Sequence, residues 1–268
     1  MQISRFLWSV YMMFFVICFL FLTFSAEAQQ SRIEDILKAN AIRVGTTGDY
    51  IPFSYVNNGE FVGIDIELAK DLANTLGVEL VLVKTTWPTL MDDLHQDKFD
   101  IGMSGISIIL ERQKTALFSL PMLSGGKVAI TRDENVHKYN SLAQINRPEV
   151  RVIFNPGGTN ETFARSNFPN ANLIENEDNI SIFQKIVDGH ADVMVTDAIE
   201  TIVQQEVHPE LESVNYEKPF NYSEKGYLLG RDVIFKAYID QWITMRLKDG
   251  SFKKKYDEQI GRYVNSSN

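Results

Sequence analysis

The sequence has almost no cysteine: Cys18 is the single one among 268 residues, and it lies inside an apolar N-terminal stretch. Disulfides, thiolate nucleophiles and cysteine-ligated metals are thereby excluded from the rest of the chain. Histidine is scarce as well. His95, His137, His190 and His208 stand at no ligand spacing, which argues against a metal site, and no cofactor is expected. A phosphate loop, a serine nucleophile elbow and low-complexity segments are missing too. Basic residues are in deficit, 26 Lys and Arg against 35 Asp and Glu, for a net charge of −9. Such an acidic surface favours solubility and disfavours nucleic acid or anionic membrane as a partner. Beyond Phe24 no run is long and apolar enough to span a bilayer.

What is present begins with a leader. Arg5 is followed by apolar residues from Phe6 to Phe24 and then by Ala26-Glu27-Ala28, the small-residue pattern of a cleavage site. Residues 1–28 are therefore expected to be removed as a signal peptide, giving an exported chain that starts at Gln29 and holds no membrane segment. An uncleaved anchor is the alternative that the apolar length leaves open. Ile17 before Cys18 argues against a lipoprotein anchor. Removal takes one Arg and one Glu, so the charge of −9 is unchanged, and the remaining residues suffice for one large domain or two of ordinary size.

The mature chain alternates strand and helix patterns. A short amphipathic helix over 31–39 precedes a strand at Ile42 to Thr46, whose end delivers Thr47, Gly48, Asp49, Tyr50, Pro52 and Phe53 into a loop. Tyr55-Val56 and Phe61-Val62 around Asn57-Asn58-Gly59 predict a hairpin. Ile66, Ala69, Leu72, Ala73 and Leu76 predict a helix ended by Gly77. Leu80 to Val83 reads as a buried strand, with Pro88 in the first turn of the next helix. Ile101-Gly102-Met103 follows as a strand, so a parallel sheet is expected, with its chemistry at the carboxyl edge. A second, smaller series runs through Arg151 to Ile153, Leu173-Ile174, a helix over 180–187 and Asp192 to Val195. Extended passages near Ala129 and Gly226 bracket it, as for one domain inserted into another with two hinge strands and a cleft between. The expected division is 29–129 with 225–268 as the first lobe and 130–224 as the second.

At the end of the second series, Thr196-Asp197-Ala198-Ile199-Glu200 carries two carboxylates three positions apart. By itself this pattern reads as a helix cap, with Thr196 or Asp197 at the cap and Glu200 completing a capping box. Placed at the carboxyl end of a buried strand, it is equally where a crevice receives its reactive groups.

Several motifs together resemble a known family. Gly48-Asp49-Tyr50-x-Pro52-Phe53, Gly63-Ile64-Asp65-Ile66-Glu67-Leu68-Ala69, Phe99 to Ser107, and Glu111-Arg112 followed by Phe118-Ser119 are similar to the periplasmic amino-acid-binding proteins. The resemblance covers the whole mature chain. It implies an α/β fold, periplasmic binding protein-like type II, with two α/β lobes joined by two hinge strands, a ligand cleft between them and a periplasmic location. Within that superfamily, Trp87-Pro88-x-Leu90-Met91, Asn155 to Glu161 and Thr196 to Glu200 resemble the enzymatic branch, the cyclohexadienyl dehydratases. That resemblance implies loss of water and carbon dioxide from a small-molecule dicarboxylate or amino acid, prephenate or arogenate, giving phenylpyruvate or phenylalanine.

The residue roles follow from the same resemblance. Glu200 is the expected general acid, and burial should raise its pKa toward neutrality. Arg112 is the expected carboxylate clamp, since a planar guanidinium holds both oxygens at once. Gly157-Gly158-Thr159 at a helix start offers N–H groups and the Thr159 hydroxyl to a carboxylate. Asn155 and Asn160 are expected to orient the ring hydroxyl, a carboxylate or Glu200. Asp197 matches the amino-group ligand of the binding proteins and is a structural anchor or a substrate contact. Asp49, Tyr50, Phe53 and Trp87 form the expected wall against the ring, and Ser104, Ser107 and Lys127 are further candidates for carboxylate contacts. The alternative function is a non-catalytic binding protein serving a transporter or receptor, which would share Arg112 and the cleft but need no proton donor at Glu200. Oligomeric state has no signature in the sequence.

Overall fold

The computed structural model describes residues 31–264. The leader over 1–28, with Cys18, lies outside the described residues. Helix α1 (Arg32–Ala39) leads into β1 (Ala41–Thr46) and a small antiparallel sheet of β2 (Asp49–Tyr50), β3 (Ser54–Asn57) and β4 (Glu60–Val62). The expected hairpin is the pair of β3 and β4, with Val56 opposite Phe61. Then come α2 (Ile64–Leu76), β5 (Glu79–Lys84), α3 (Leu90–His95), β6 (Ile101–Gly102), α4 (Leu110–Gln113), β7 (Leu117–Phe118) and β8 (Leu123–Gly125). The second series holds β9 (Lys127–Arg132), α5 (Leu142–Ile145), β10 (Arg151–Phe154), α6 (Thr159–Asn167), β11 (Asn172–Glu175), α7 (Ser181–Val187), β12 (Val193–Asp197), α8 (Ala198–Val207) and β13 (Leu211–Val214). It is followed by β14 (Ser223–Lys225), β15 (Leu228–Leu229), α9 (Val233–Lys248) and α10 (Ser251–Val264).

The two lobes repeat one plan. The first sheet has the order β5-β1-β6-β15-β7 and the second β11-β10-β12-β9-β13. In each, three parallel strands are followed by one antiparallel strand, β15 or β9, and by a fifth that pairs antiparallel with that one. Each sheet has its own core. Ile42, Val44, Leu68, Leu72, Ile101, Tyr227 and Trp242 cluster in the first lobe, while Val152, Phe154, Phe168, Val193 and Val195 cluster in the second. Between the lobes β8 pairs antiparallel with β14, one strand leading into the second sheet and the other back into the first. At this crossing Gly126 is required by close approach: a Cβ there would lie 1.9 Å from the Asn221 carbonyl oxygen.

Two local expectations differ from what is found. Leu80 to Val83 is an edge strand, not a fully buried one. Leu80 and Leu82 pack inward while Val81 is exposed, because β5 has a neighbour on one side only. Pro88 sits in the turn before α3, with Thr89 at the N-cap, so the helix starts later than the proline suggested.

Candidate active site

The parallel strands of both sheets aim their carboxyl ends at one cleft, as open α/β sheets do. In the first lobe, Tyr50 follows β1, Trp87 follows β5, and Gly105 and Ser107 follow β6. In the second, Asn155 follows β10, Asn179 follows β11, and Asp197 and Glu200 end β12 and begin α8. Arg112, Gly158, Thr159, Asn160 and Lys225 complete a lining around about 320 Å³ of empty space.

Asp197 occupies the N-cap position of α8, yet its side chain makes no capping bond. It turns into the cleft floor, where Oδ2 accepts from Lys225 Nζ at 2.5 Å and from Tyr50 Oη at 2.7 Å. Its Oδ1 lies 3.0 Å from Lys127 Nζ. The register of β9 on β12 causes that contact, because Lys127 stands directly opposite Asp197. Burial opposes the charge on Asp197, but Lys127 and Lys225, with the bonds from Lys225 and Tyr50, outweigh it and hold its pKa well below the usual carboxylate range.

Glu200 is no exposed cap residue either, at 1% exposure. Its Oε2 accepts from Thr196 Oγ1 at 2.5 Å and its Oε1 from Asn179 Nδ2 at 3.1 Å. Burial drives its pKa up to about 8, with the Asp197 charge adding, while the Thr196 bond, Lys127 and the Asn179 bond pull part of the way back. Two carboxylates in one turn are thus pushed apart, one ionised and one holding its proton at neutral pH. That is the pattern of an acid and its electrostatic partner.

The remaining polar groups connect to this pair. Lys127 donates to Asn160 Oδ1, and Asn160 Nδ2 donates to Asn155 Oδ1 at 2.9 Å. Arg112 is 8% exposed and gives Nη1 to the Ser107 carbonyl at 3.1 Å. It has no ion-pair partner among the described residues, and burial lowers its pKa to about 10. A buried guanidinium without a counter-charge is costly unless an anion joins it, so Arg112 is poised for a ligand carboxylate.

The candidates read from the sequence fall into two groups. Glu200, Arg112, Thr159, Asn155, Asn160, Asp197, Trp87, Tyr50 and Ser107 border the cavity. Asp49, Phe53, Ser104 and Lys127 stand behind it. The Asp49 carboxylate receives the Trp87 indole N–H at 3.0 Å, and the Phe53 ring supports Tyr50 at a centroid distance of 5.0 Å. Ser104 bonds Thr47 within the first lobe at 2.7 Å, and Lys127 is taken up by Asp197 and Asn160. Glycine is needed at position 157, where φ is +79° and a Cβ would lie 2.3 Å from the Pro88 nitrogen across the cleft. The Gly157 N–H is used within its own loop, by Glu161 Oε2 at 2.7 Å.

Asn179 and Lys225 border the cavity without having been singled out as site residues. Asn179 follows a parallel strand at its carboxyl end, the same positional rule that marks Asn155. Lys225 lies in the extended passage recognised as a hinge.

A family model for bacterial extracellular solute-binding proteins, family 3, matches residues 42–265. The cyclohexadienyl dehydratase of Pseudomonas aeruginosa is 48% identical over 237 residues, covering 88% of each chain. The crystal structure of an ancestral amino-acid-binding protein, described as a precursor of cyclohexadienyl dehydratase, superposes with a TM-score of 0.81 at 34% identity over 86% of this chain and 100% of its own. An ancestral cyclohexadienyl dehydratase is 46% identical over 87% of this chain and 98% of its own, with a TM-score of 0.55.

Proposed function

We propose that this chain, which belongs to the bacterial extracellular solute-binding proteins of family 3, is an exported cyclohexadienyl dehydratase, a carbon–oxygen lyase acting in the periplasm on prephenate, arogenate or both. One observation carries the enzymatic reading: Glu200 is a buried carboxyl with a pKa near 8, beside a carboxylate held ionised three residues away. A protein that only binds a solute has no use for a protonated acid there.

In this reading Arg112 takes one substrate carboxylate, and the Asn155 to Asn160 loop with the Thr159 hydroxyl takes part in holding the other. Lys127 and Lys225 share a single ionised carboxylate at the floor, Asp197, and Arg112 has no counter-charge among the described residues, an excess of positive charge that suits a substrate carrying two carboxylates. Trp87 and Tyr50 hold the ring. Glu200 gives its proton to the ring hydroxyl, the C–O bond breaks and water leaves. The carboxylate on the opposite ring carbon departs as carbon dioxide, its C–C electron pair completing the aromatic ring. Glu200 is left ionised and regains a proton from solvent. General acid catalysis contributes about a hundred- to ten-thousand-fold, and orientation in the closed cleft supplies much of the rest.

The test is purified protein with prephenate, following phenylpyruvate, beside Glu200→Gln. Turnover by the parent and a loss of about a hundredfold or more in the variant are expected. Absence of turnover together with tight binding of a free amino acid would make the chain a binding protein instead. Equal turnover by Glu200→Gln would move the acid elsewhere.

A further inference from the structure

Asn179 is 2% exposed and lies in the loop after β11. Its amide nitrogen does two things. It donates to Glu200 Oε1 at 3.1 Å, within the second lobe, and to the Asp49 backbone carbonyl at 3.0 Å, in the first lobe. One NH₂ group thus ties the acid to the opposite wall, and both bonds exist together only with the cleft closed. Its Oδ1 is buried and has no hydrogen-bond partner among the described residues, although Asn179 borders the cavity. An orphaned buried acceptor beside a proton donor is costly to keep unless a ligand donor meets it.

We propose that Asn179 completes the acid site. Its N–H fixes Glu200 Oε1 when the lobes close, and its Oδ1 receives the hydrogen of the departing ring hydroxyl. This rests on the dehydratase reading. The bond count balances: the hydroxyl oxygen accepts the Glu200 proton and leaves as water, and the O–H bond it already had is the one donated to Asn179. An amide does both tasks because it carries a donor and an acceptor on one rigid plane. The charged and titratable groups that act on Glu200 from the surrounding elements are Asp197, Lys127, Lys225 and Tyr50, and the side-chain bonds of Asn179 go to Glu200 and the Asp49 carbonyl, not to these groups.

The experiment compares the parent with Asn179→Ala and Asn179→Asp. For Asn179→Ala, kcat on prephenate should fall about ten- to a hundredfold. The alkaline limb of the kcat profile should move to higher pH, since the lost N–H bond favoured ionised Glu200. Asn179→Asp keeps an acceptor but sets a second carboxyl beside Glu200, so its limb should also move upward. A kcat within twofold of the parent, or a fall in kcat with the limb unmoved, would reduce Asn179 to a packing role. A carboxyl ¹³C titration reads Glu200 directly, its signal being the one missing in Glu200→Gln. It also separates the two claims. If the parent turns over neither prephenate nor arogenate the dehydratase reading falls, while a Glu200 midpoint unmoved in Asn179→Ala overturns the positioning role independently of turnover.

Discussion

Asp197 and Glu200 stand three residues apart, and their surroundings drive their acidities in opposite directions, which has a consequence for stability. The folded pKa of Glu200, about 8, lies above its ordinary value of 4.5. Between those values the folded chain keeps a proton that the unfolded chain has released, so stability falls as pH rises, by at most about 1.4 kcal/mol per pH unit. Asp197 has the opposite sign. Its depressed pKa contributes stability that is fully present above the ordinary carboxylate range and is lost only as pH falls through the folded value. The two windows do not overlap; Asp65, which burial raises to about 7, shares the Glu200 window but contributes equally to parent and variant, so their difference isolates Glu200 above pH 5. Glu200→Gln abolishes the ionisation, and chemical denaturation should find the variant gaining on the parent by about 1 kcal/mol or more between pH 5 and pH 7.5. A difference that stays constant with pH would mean that Glu200 titrates normally. A buried carboxyl that keeps its proton in this way is a cost to the fold, as buried polar groups at functional sites commonly are.

At the level of elements, the loops after β5 and β10 meet backbone to backbone at Pro88 and Gly157, while the next residue has room. A Cβ on Gly158 would have no heavy atom nearer than 3.9 Å, against 2.3 Å for Gly157. Gly157→Ala should therefore cost about 1 kcal/mol or more through its positive φ and hold the cleft ajar. KM should rise roughly tenfold on the scale of one lost contact, with Gly158→Ala close to the parent in both respects. Equal KM values for the two variants would show that this contact does not set closure. The element pattern was legible because periodicity and turn residues are local. The stripe on α2, the β3–β4 hairpin and the apolar run of β12 each fix their own conformation. The family resemblance singled out Asn155, and the strand-end rule marked Asp197 and Glu200. It could not tell Tyr50, which reaches the cavity, from Phe53 behind it, because the path of the turn decides which side chain points in. Nor could it find the role of Asn179, whose bonds reach Glu200 and Asp49 across 21 and 130 residues of sequence. Likewise the edge position of β5 depends on sheet order, which no local pattern records.

For the molecule as a whole, two separately cored lobes meet at a narrow hinge, and the cleft between them is closed over polar contacts. Tyr50 on Asp197 and Asn179 on the Asp49 carbonyl both cross from lobe to lobe. A substrate of a dozen or more heavy atoms cannot enter such a cavity without these contacts breaking, so each turnover requires opening and reclosing. A disulfide across the mouth tests this directly, because Cys18 is the only cysteine of the sequence and lies in the segment expected to be removed. The Cβ that glycine 158 would carry lies 3.9 Å from the Trp87 Cβ, close to the roughly 3.8 Å that a disulfide prefers. In the double variant Trp87→Cys with Gly158→Cys, oxidation should lower phenylpyruvate formation to a few per cent of that of the reduced form, on the order expected when opening is blocked. Loss of the indole weakens both forms alike, so the comparison within one variant isolates the motion, and a thiol titration verifies that the bond has formed. Equal rates from the fully oxidised and reduced forms would mean that substrate reaches Glu200 with the lobes fixed, and the closed cleft would then be the resting shape of a site open from another side.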